Sequence, residues 1–267
     1  MIKEMEKQKG GGKHRNIFYF CMLLSAIGML AACSSSQTIV KQDQSRAFRE
    51  LGEAYMGQGQ YTQALIEFKK AEQIYDKDPY LQNNLGLAYL AKRDADLAII
   101  HFQKAIKLKS DYTPALNNLG TAYLEKEEWH QAIDCFEKAT KDLMYMTPHF
   151  PLTNMGFAYY KLEDYDKAIR FSQDAIEISP NFPKAHHNLG LAFMAAGRNE
   201  DAVDALEQAA ALAPKEAHIY FDLGRVYKLR GEYRKSYESF KKAAEITDRR
   251  QLAAEAEAEA ERVRNLR

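Results

Sequence analysis

The 267-residue chain has few residues that break helices or cross-link a fold, with 14 glycines, 7 prolines and 3 cysteines. Ala, Leu, Glu and Lys are common instead, and these residues lose little conformational freedom in a helix. Cys21 and Cys33 lie in an N-terminal segment expected to be processed, which leaves Cys135 alone and makes an intramolecular disulfide unexpected. Cys135 lies in a helical pattern and is predicted to be a small core residue, with a reactive thiol as the alternative.

An excess of charge of one sign is also absent, since 37 basic residues balance 37 acidic residues. A basic surface for nucleic acid is therefore not expected. The sequence likewise lacks a glycine-rich phosphate loop, a Cys or His cluster at metal-ligand spacing and a nucleophile motif. These absences argue against an enzyme, and no catalytic residue, cofactor or metal ligand is predicted.

Residues 1–32 have the organisation of a secretory signal. A basic start containing several glycines precedes an apolar run from Ile17 to Ala32, and the polar residues Ser34–Gln37 follow soon after. The run is shorter than the roughly 20 residues that cross a bilayer as a helix. A short uncleaved membrane anchor is the alternative interpretation.

The apolar run ends in Leu30-Ala31-Ala32-Cys33, which resembles the bacterial lipobox. The resemblance implies that Cys33 becomes a lipidated N-terminus, and several acyl chains hold a protein firmly on a membrane. Ser34 follows the cysteine in place of the aspartate that often retains such proteins in the inner membrane. We expect an outer-membrane lipoprotein that faces the periplasm, with residues 33–44 forming the lipidated cysteine and a polar tether.

Residues 45–248 contain six copies of one pattern. A Leu-Gly pair, once Met-Gly, recurs at spacings of 34, 34, 36, 34 and 34 residues, with an aromatic four residues later and an alanine twenty residues later. The pairs are Leu51-Gly52, Leu85-Gly86, Leu119-Gly120, Met155-Gly156, Leu189-Gly190 and Leu223-Gly224. This register resembles the tetratricopeptide repeat. The resemblance implies an all-α, right-handed superhelical solenoid of six helix-turn-helix repeats.

A stack of such repeats buries an apolar face that a single repeat cannot bury, so its ends need caps. In residues 249–267, the side chains of Leu252, Ala256, Ala260 and Val263 would share one stripe of a helix. We predict a C-terminal capping helix there. A solvated charged tail is the alternative.

In tetratricopeptide solenoids the first helix of each repeat lines the concave surface. In four consecutive repeats an asparagine precedes the Leu or Met of the pair, at Asn84, Asn118, Asn154 and Asn188. Because an amide both donates and accepts hydrogen bonds, this row could hold the backbone of an extended peptide. The alternative, which is compatible with the first, is that the asparagines brace the repeats.

The concave positions beside the asparagines are apolar or neutral. They are Leu87, Leu90, Thr121, Leu124, Phe157, Tyr160, Leu191 and Met194. Exposed apolar patches of this size usually mark a binding surface. The predicted partner is a protein that presents an apolar or amphipathic segment. His187 and His218 could meet between neighbouring repeats, but two histidines alone make a weak metal site.

The junction between repeats three and four is two residues longer than the others, within residues 143–151. Pro148 and Pro151 are expected to end the preceding helix and fix the turn. The apolar residues before Pro148 favour a turn packed on itself, and a contact with a partner is the alternative.

The lipobox, the six repeats and this junction together resemble the PilF/PilW family of type IV pilus lipoproteins. The stretches that carry the likeness are Tyr145-Met146-Thr147-Pro148 and Asn154 to Tyr160. The resemblance implies a pilotin-like scaffold that supports localisation and assembly of a pilus secretin subunit. The alternative is a general periplasmic adaptor for outer-membrane assembly factors or cell-wall hydrolases.

Overall fold

The structure is a computed structural model that describes residues 37–266. Every regular element in that range is an α-helix, and the helices are numbered α1 to α13 in chain order. They are α1 (37–57), α2 (Tyr61–Ile74), α3 (Pro79–Ala91), α4 (Ala95–Leu108), α5 (Thr113–Glu125), α6 (Trp129–Thr140), α7 (His149–Lys161), α8 (Tyr165–Ile178), α9 (Pro183–Ala195), α10 (Asn199–Leu212), α11 (Ala217–Leu229), α12 (Tyr233–Ile246) and α13 (Arg250–Arg264). None of these described helices has the length and apolarity needed to cross a membrane.

The described chain forms two compact units, and the division falls inside α3 between Ala88 and Tyr89. The first unit contains α1, α2 and most of α3. In the second unit, α5/α6, α7/α8, α9/α10 and α11/α12 are packed pairs, and each pair also packs against the next along the chain. The predicted all-α architecture of helix-turn-helix repeats is confirmed.

In the first unit, α1 begins earlier than the repeat pattern. Ser45 is buried, and its hydroxyl donates a hydrogen bond to the backbone carbonyl of Ala71 in α2 at 2.9 Å. Residues 37–44 extend the same helix and are mostly exposed. Extending an existing helix avoids the cost of nucleation, so residues 37–44 are helical within the segment expected to be a tether. The predicted signal (1–32) and Cys33 lie outside the described residues.

The glycines of five of the six Leu-Gly pairs lie where the two helices of a repeat cross closely, at Gly52, Gly120, Gly156, Gly190 and Gly224. A Cβ atom on Gly120 would lie 2.5 Å from the ring of Phe136, and one on Gly224 would lie 2.6 Å from the ring of Phe240. Both phenylalanines are fully buried. The Leu-Gly pattern therefore records the contact between the two helices of one repeat.

Among residues 37–266, six turns between consecutive helices use the left-handed backbone conformation. The residues with positive φ are Gly59, Arg93, Glu127, Glu163, Gly197 and Gly231. At Glu163 the chain reverses through two backbone hydrogen bonds, from the Glu163 N–H to the Tyr160 carbonyl and from the Asp164 N–H to the Tyr159 carbonyl. Glycine adopts this conformation without strain, whereas arginine and glutamate adopt it at a cost.

The last helix, α13, covers the end of the second unit. Ala256, Ala260 and Val263 are buried, and this stripe packs against Phe240 of α12 and the neighbouring aromatic residue Phe221. The outer face of α13 carries exposed glutamates and arginines.

Candidate protein-binding groove

The second unit contains a groove of about 740 Å³ along the first helices of repeats three to six. Helices α5, α7, α9 and α11 supply most of its walls. The lining residues are Thr121, Leu124, Glu125, Glu127, Trp129, Asn154, Phe157, Lys161, Pro183, Lys184, His187, Asn188, Leu191, Ala213, Glu216, His218 and Ile219. Its volume falls within the roughly 300–1,000 Å³ typical of ligand pockets.

Half of the twelve residues predicted to bind a partner line this groove. They are Thr121, Leu124, Asn154, Phe157, Asn188 and Leu191. Leu90, Asn118, Tyr160 and Met194 belong to the same unit but are not part of its lining, and Asn84 and Leu87 belong to the first unit. The predicted apolar positions other than Leu191 and Met194 are half-buried.

The prediction that Leu191 and Met194 are exposed is wrong. Their side chains are only 8% and 9% exposed. Both belong to the core cluster that includes Ile219 and Leu223 of α11, because α9 packs against helices on several sides. Leu191 still reaches the groove wall, whereas Met194 is a core residue.

Three of the four asparagines connect the first helices of successive repeats. In the second unit, the Asn188 amide of α9 donates to the Thr153 carbonyl of α7 at 3.0 Å, and Asn154 accepts from the Lys184 ammonium at 2.9 Å. In the first unit, the Asn84 amide donates to the Glu53 carboxylate at 2.6 Å. These bonds support the bracing role that was the alternative for the asparagines. Their contact with a ligand stays a prediction.

The Lys184 ammonium lies inside the concave wall, although the residue as a whole is accessible to solvent. Burial by the groove walls lowers the pKa of Lys184 below the ordinary value for lysine. Its bond is to the neutral amide oxygen of Asn154.

An aromatic cluster forms one end of the groove. The rings of Trp129 and Phe157 meet edge to face, with centroids 6.3 Å apart. The Lys161 ammonium lies 5.9 Å from the Trp129 ring centroid and 5.7 Å from that of Phe157, a favourable cation–π arrangement. Trp129 is the single tryptophan of the chain, so its emission reports directly on the groove.

A histidine pair lies in another part of the groove. The rings of His187 and His218 are 4.8 Å apart and nearly perpendicular, which confirms that they approach each other between repeats. His187 is hydrogen-bonded to Asp222 at 2.9 Å, and Asp222 also pairs with Arg225 at 2.9 Å. Burial and the neighbouring His187 lower the pKa of His218. Within the described residues, no group of three or more potential metal ligands is present.

The junction between repeats three and four is open to solvent. Leu143, Met144 and Met146 are 96%, 84% and 89% exposed, and we call these three residues the apolar turn. The Asp142 carboxylate accepts hydrogen bonds from the Thr113 hydroxyl and from the Met144 N–H. Both bonds lower the pKa of Asp142 below its ordinary value, and the bond from Thr113 has the larger effect.

The interpretation of the junction as a turn packed on itself is therefore wrong for the apolar side chains, because the bonds to Asp142 fix the backbone while the side chains point outward. The expected role of the prolines is also wrong. Helix α6 ends at Thr140, whereas Pro148 precedes α7 and Pro151 lies in its first turn. A proline fits there because the N–H groups of a first turn have no partner within the helix.

Cys135 is buried in α6, as predicted. Burial raises its pKa to about 11. The thiol therefore stays protonated near neutral pH and is a poor nucleophile.

Residues 67–265 match the family described as the cilia and flagella-associated protein 70 C-terminal domain, and residues 46–78 match the tetratricopeptide repeat. The chain belongs to this tetratricopeptide-repeat family. The first match alone covers well over half of the sequence.

One tetratricopeptide relative is the small glutamine-rich tetratricopeptide repeat-containing protein 2 of Mycosarcoma maydis. It is 33% identical over 84 residues, which are 32% of this chain and 24% of that protein. The chain thus matches only about a quarter of that relative.

Two solved tetratricopeptide structures match nearly over their full length. PilF of Pseudomonas aeruginosa has a TM-score of 0.69 at 17% identity, with coverage of 82% of this chain and 99% of that one. PilW, a type IV pilus biogenesis factor, has a TM-score of 0.73 at 21% identity, with coverage of 79% and 97%. At these identities the likeness is one of fold.

The tetratricopeptide register could have identified one groove residue that the sequence analysis missed. Trp129 is the first residue of its helix, where three of the five corresponding helices begin with tyrosine, at Tyr61, Tyr165 and Tyr233. The larger ring at this one repeat was a visible signal. Lys161 and Lys184 had no such signal, because their placement depends on neighbouring repeats.

Proposed function

We propose that the chain is a protein-binding scaffold whose groove holds an apolar or amphipathic segment of a partner. The observation that carries this proposal is the half-buried apolar lining formed by Leu124, Trp129 and Phe157, open to solvent and flanked by polar groups. Binding pockets commonly combine such a lining with a few polar groups that fix orientation. Tetratricopeptide scaffolds are generally interaction modules without catalytic activity, and this role needs no reaction.

The proposed setting is the biogenesis of type IV pili, where the chain acts as a pilotin-like factor that supports localisation and assembly of a secretin subunit. The likeness in fold to PilF and PilW supports this setting. The lipobox supports anchoring through lipid on Cys33 to the outer membrane, facing the periplasm.

A pull-down from detergent-solubilised membranes tests the partner and the groove together. The wild-type chain is expected to retain a secretin subunit, and a Leu124→Asp/Phe157→Asp variant to lose it, because each substitution places a carboxylate on the apolar lining. Ile178→Asp is the matched control, since Ile178 is an exposed apolar residue outside the groove.

Circular dichroism of each variant checks that the helices are intact. A groove variant that keeps its helices and still retains the partner would refute the placement of the site. Capture of a different partner through the groove, with pili and secretin multimers normal in a deletion strain and envelope integrity altered, would favour the general periplasmic adaptor.

The lipid anchor has its own test. Cys33→Ser should move the protein from the outer-membrane fraction to the soluble periplasm, because the thiol that carries the acyl chains is gone. Metabolic labelling with a fatty acid should mark the wild type and leave the variant unlabelled. Continued sedimentation of the variant with membranes would contradict lipidation as the anchor.

A further inference from the structure

The apolar turn has the character of a docking element. Three large apolar side chains project from a short segment whose backbone is fixed by Asp142. Exposed apolar clusters on folded proteins commonly mark interaction sites, and methionine adapts its shape to the surface it meets. Leu143, Met144 and Met146 do not line the groove of their own chain.

The same unit presents a receptor of matching character. The groove has an apolar lining and room for several large side chains. A molecule that exposes both an apolar projection and an apolar pocket elsewhere on its surface can join copies of itself head to tail. We propose that the apolar turn of one copy inserts into the groove of a second copy.

The charges beside the apolar turn and the groove are opposite in sign and therefore attract each other. Lys141 is exposed next to the apolar turn, and Glu127 is exposed at the groove. Neither has an ion-pair partner within the part of the chain that the structure describes. A Lys141–Glu127 pair between copies would join them across the contact.

If a second copy occupies the groove, a partner segment has to compete with that copy for binding. Each copy offers one turn and one groove, so the contact leaves a free turn and a free groove at the ends. A partner segment that binds the groove more tightly displaces the second copy. The inference rests on the groove being a docking site, as in the proposed function, but it concerns a different occupant.

Complementation between two variants tests the contact. The turn variant carries Leu143→Ser, Met144→Ser and Met146→Ser, and the groove variant carries Leu124→Asp and Phe157→Asp. Sedimentation velocity of the purified chain should show association that grows with concentration. Each variant alone should associate about tenfold or more weakly, since the altered residues form the centre of the contact.

An equimolar mixture of the two variants should restore association, because the intact turn of the groove variant meets the intact groove of the turn variant. The mixture should stop at dimers, since no further intact pair remains. Trp129 emission should shift in the wild type with rising concentration. Ile100→Ser with Ile178→Ser is the matched control, and it should associate like the wild type.

A wild type that is monomeric at all concentrations, a turn variant that associates normally, or a mixture that stays monomeric would each overturn the proposal. Vesicle flotation tests whether the apolar turn binds a membrane instead of a second copy. A monomeric chain that binds lipid vesicles through the apolar turn would refute self-association. The pull-down is a separate readout, so a monomer that captures a secretin subunit through its groove would leave the proposed function standing.

Discussion

Ser172 and Ser236 are both fully buried, but their hydroxyl groups have different surroundings. The Ser236 hydroxyl donates to the Gly224 carbonyl at 2.6 Å. The Ser172 hydroxyl has no hydrogen-bond partner among residues 37–266. A buried polar group without a partner costs free energy, whereas a bonded one contributes modestly.

Ser172→Ala should therefore raise the free energy of unfolding by about 1 kcal/mol, since it removes an unbonded hydroxyl. Ser236→Ala should lower it by about 1 kcal/mol, because the hydrogen bond from the Ser236 hydroxyl to the Gly224 carbonyl is lost. Urea unfolding followed by circular dichroism measures both. An equal decrease in the free energy of unfolding of the two variants would mean that the Ser172 hydroxyl has a hydrogen-bond partner, such as a buried water.

His218 should make the second unit sensitive to acid. The His218 side chain is 53% exposed, and its partial burial first, and His187 second, lower its pKa in the folded state, so folding favours the neutral ring by a small, solvent-screened amount. The associated stability is present above the unfolded pKa of about 6.5 and is lost as pH falls through the folded pKa. His218→Gln should reduce the loss of stability between pH 7.5 and pH 5.

Urea midpoints at the two pH values measure this effect. His130→Gln serves as the control, because His130 is exposed on α6 outside the groove. A pH dependence that is unchanged in His218→Gln would contradict the assignment to His218.

The turn between α7 and α8 places a glutamate where glycine is favoured. Glu163 has a φ of 60°, and Gly197 at the corresponding turn has a φ of 75°. Glu163→Gly should stabilise the protein by up to about 1 kcal/mol, because relief of left-handed strain exceeds the greater freedom of glycine in the unfolded chain. Gly197→Ala should destabilise it by a similar amount. Thermal unfolding of both variants checks the opposite signs.

Close helix crossing makes Gly120 intolerant of a side chain. Its Cβ would meet three ring atoms of Phe136 at 2.5–2.8 Å, and that ring is fully buried. Gly120→Leu should cost about 3 kcal/mol or more, at or beyond the upper end of ordinary overpacking. Gly57→Ala is the control, since nothing lies within 4 Å of a Cβ there. Chemical unfolding of both distinguishes steric overlap from a general effect of replacing glycine.

The repeat pattern predicted the helices well because the two helices of every repeat pack against each other in the same way. Gly120 and Phe136 lie within one repeat, so the periodic pattern records their contact. The burial of Met194 depends on α11 in the next repeat, which the pattern of one repeat does not specify. The exposure of Leu143 could not be predicted for a related reason. An apolar residue type shows that the side chain prefers to be buried, but not whether the fold provides a surface that covers it.

At the scale of the whole molecule, repeat proteins gain stability mainly from contacts between neighbouring elements. Helix α13 covers the apolar face of α12, with Val263 packed near Phe240, and Lys228 of α11 pairs with Glu259 at 2.8 Å. The loss of α13 should therefore weaken α11 and α12 much more than α5 and α6.

Deletion of residues 249–267 should greatly speed amide hydrogen exchange in α11 and α12, because Phe240 becomes exposed to solvent. Exchange in α5 and α6 and the emission of Trp129 should change little. Val263→Asp should reproduce the effect by placing a carboxylate in the buried stripe, whereas Glu257→Gln on the exposed face should not. Equal loss of protection along the whole second unit would instead mean that its repeats unfold as one cooperative block, and that α13 stabilises the groove from a distance.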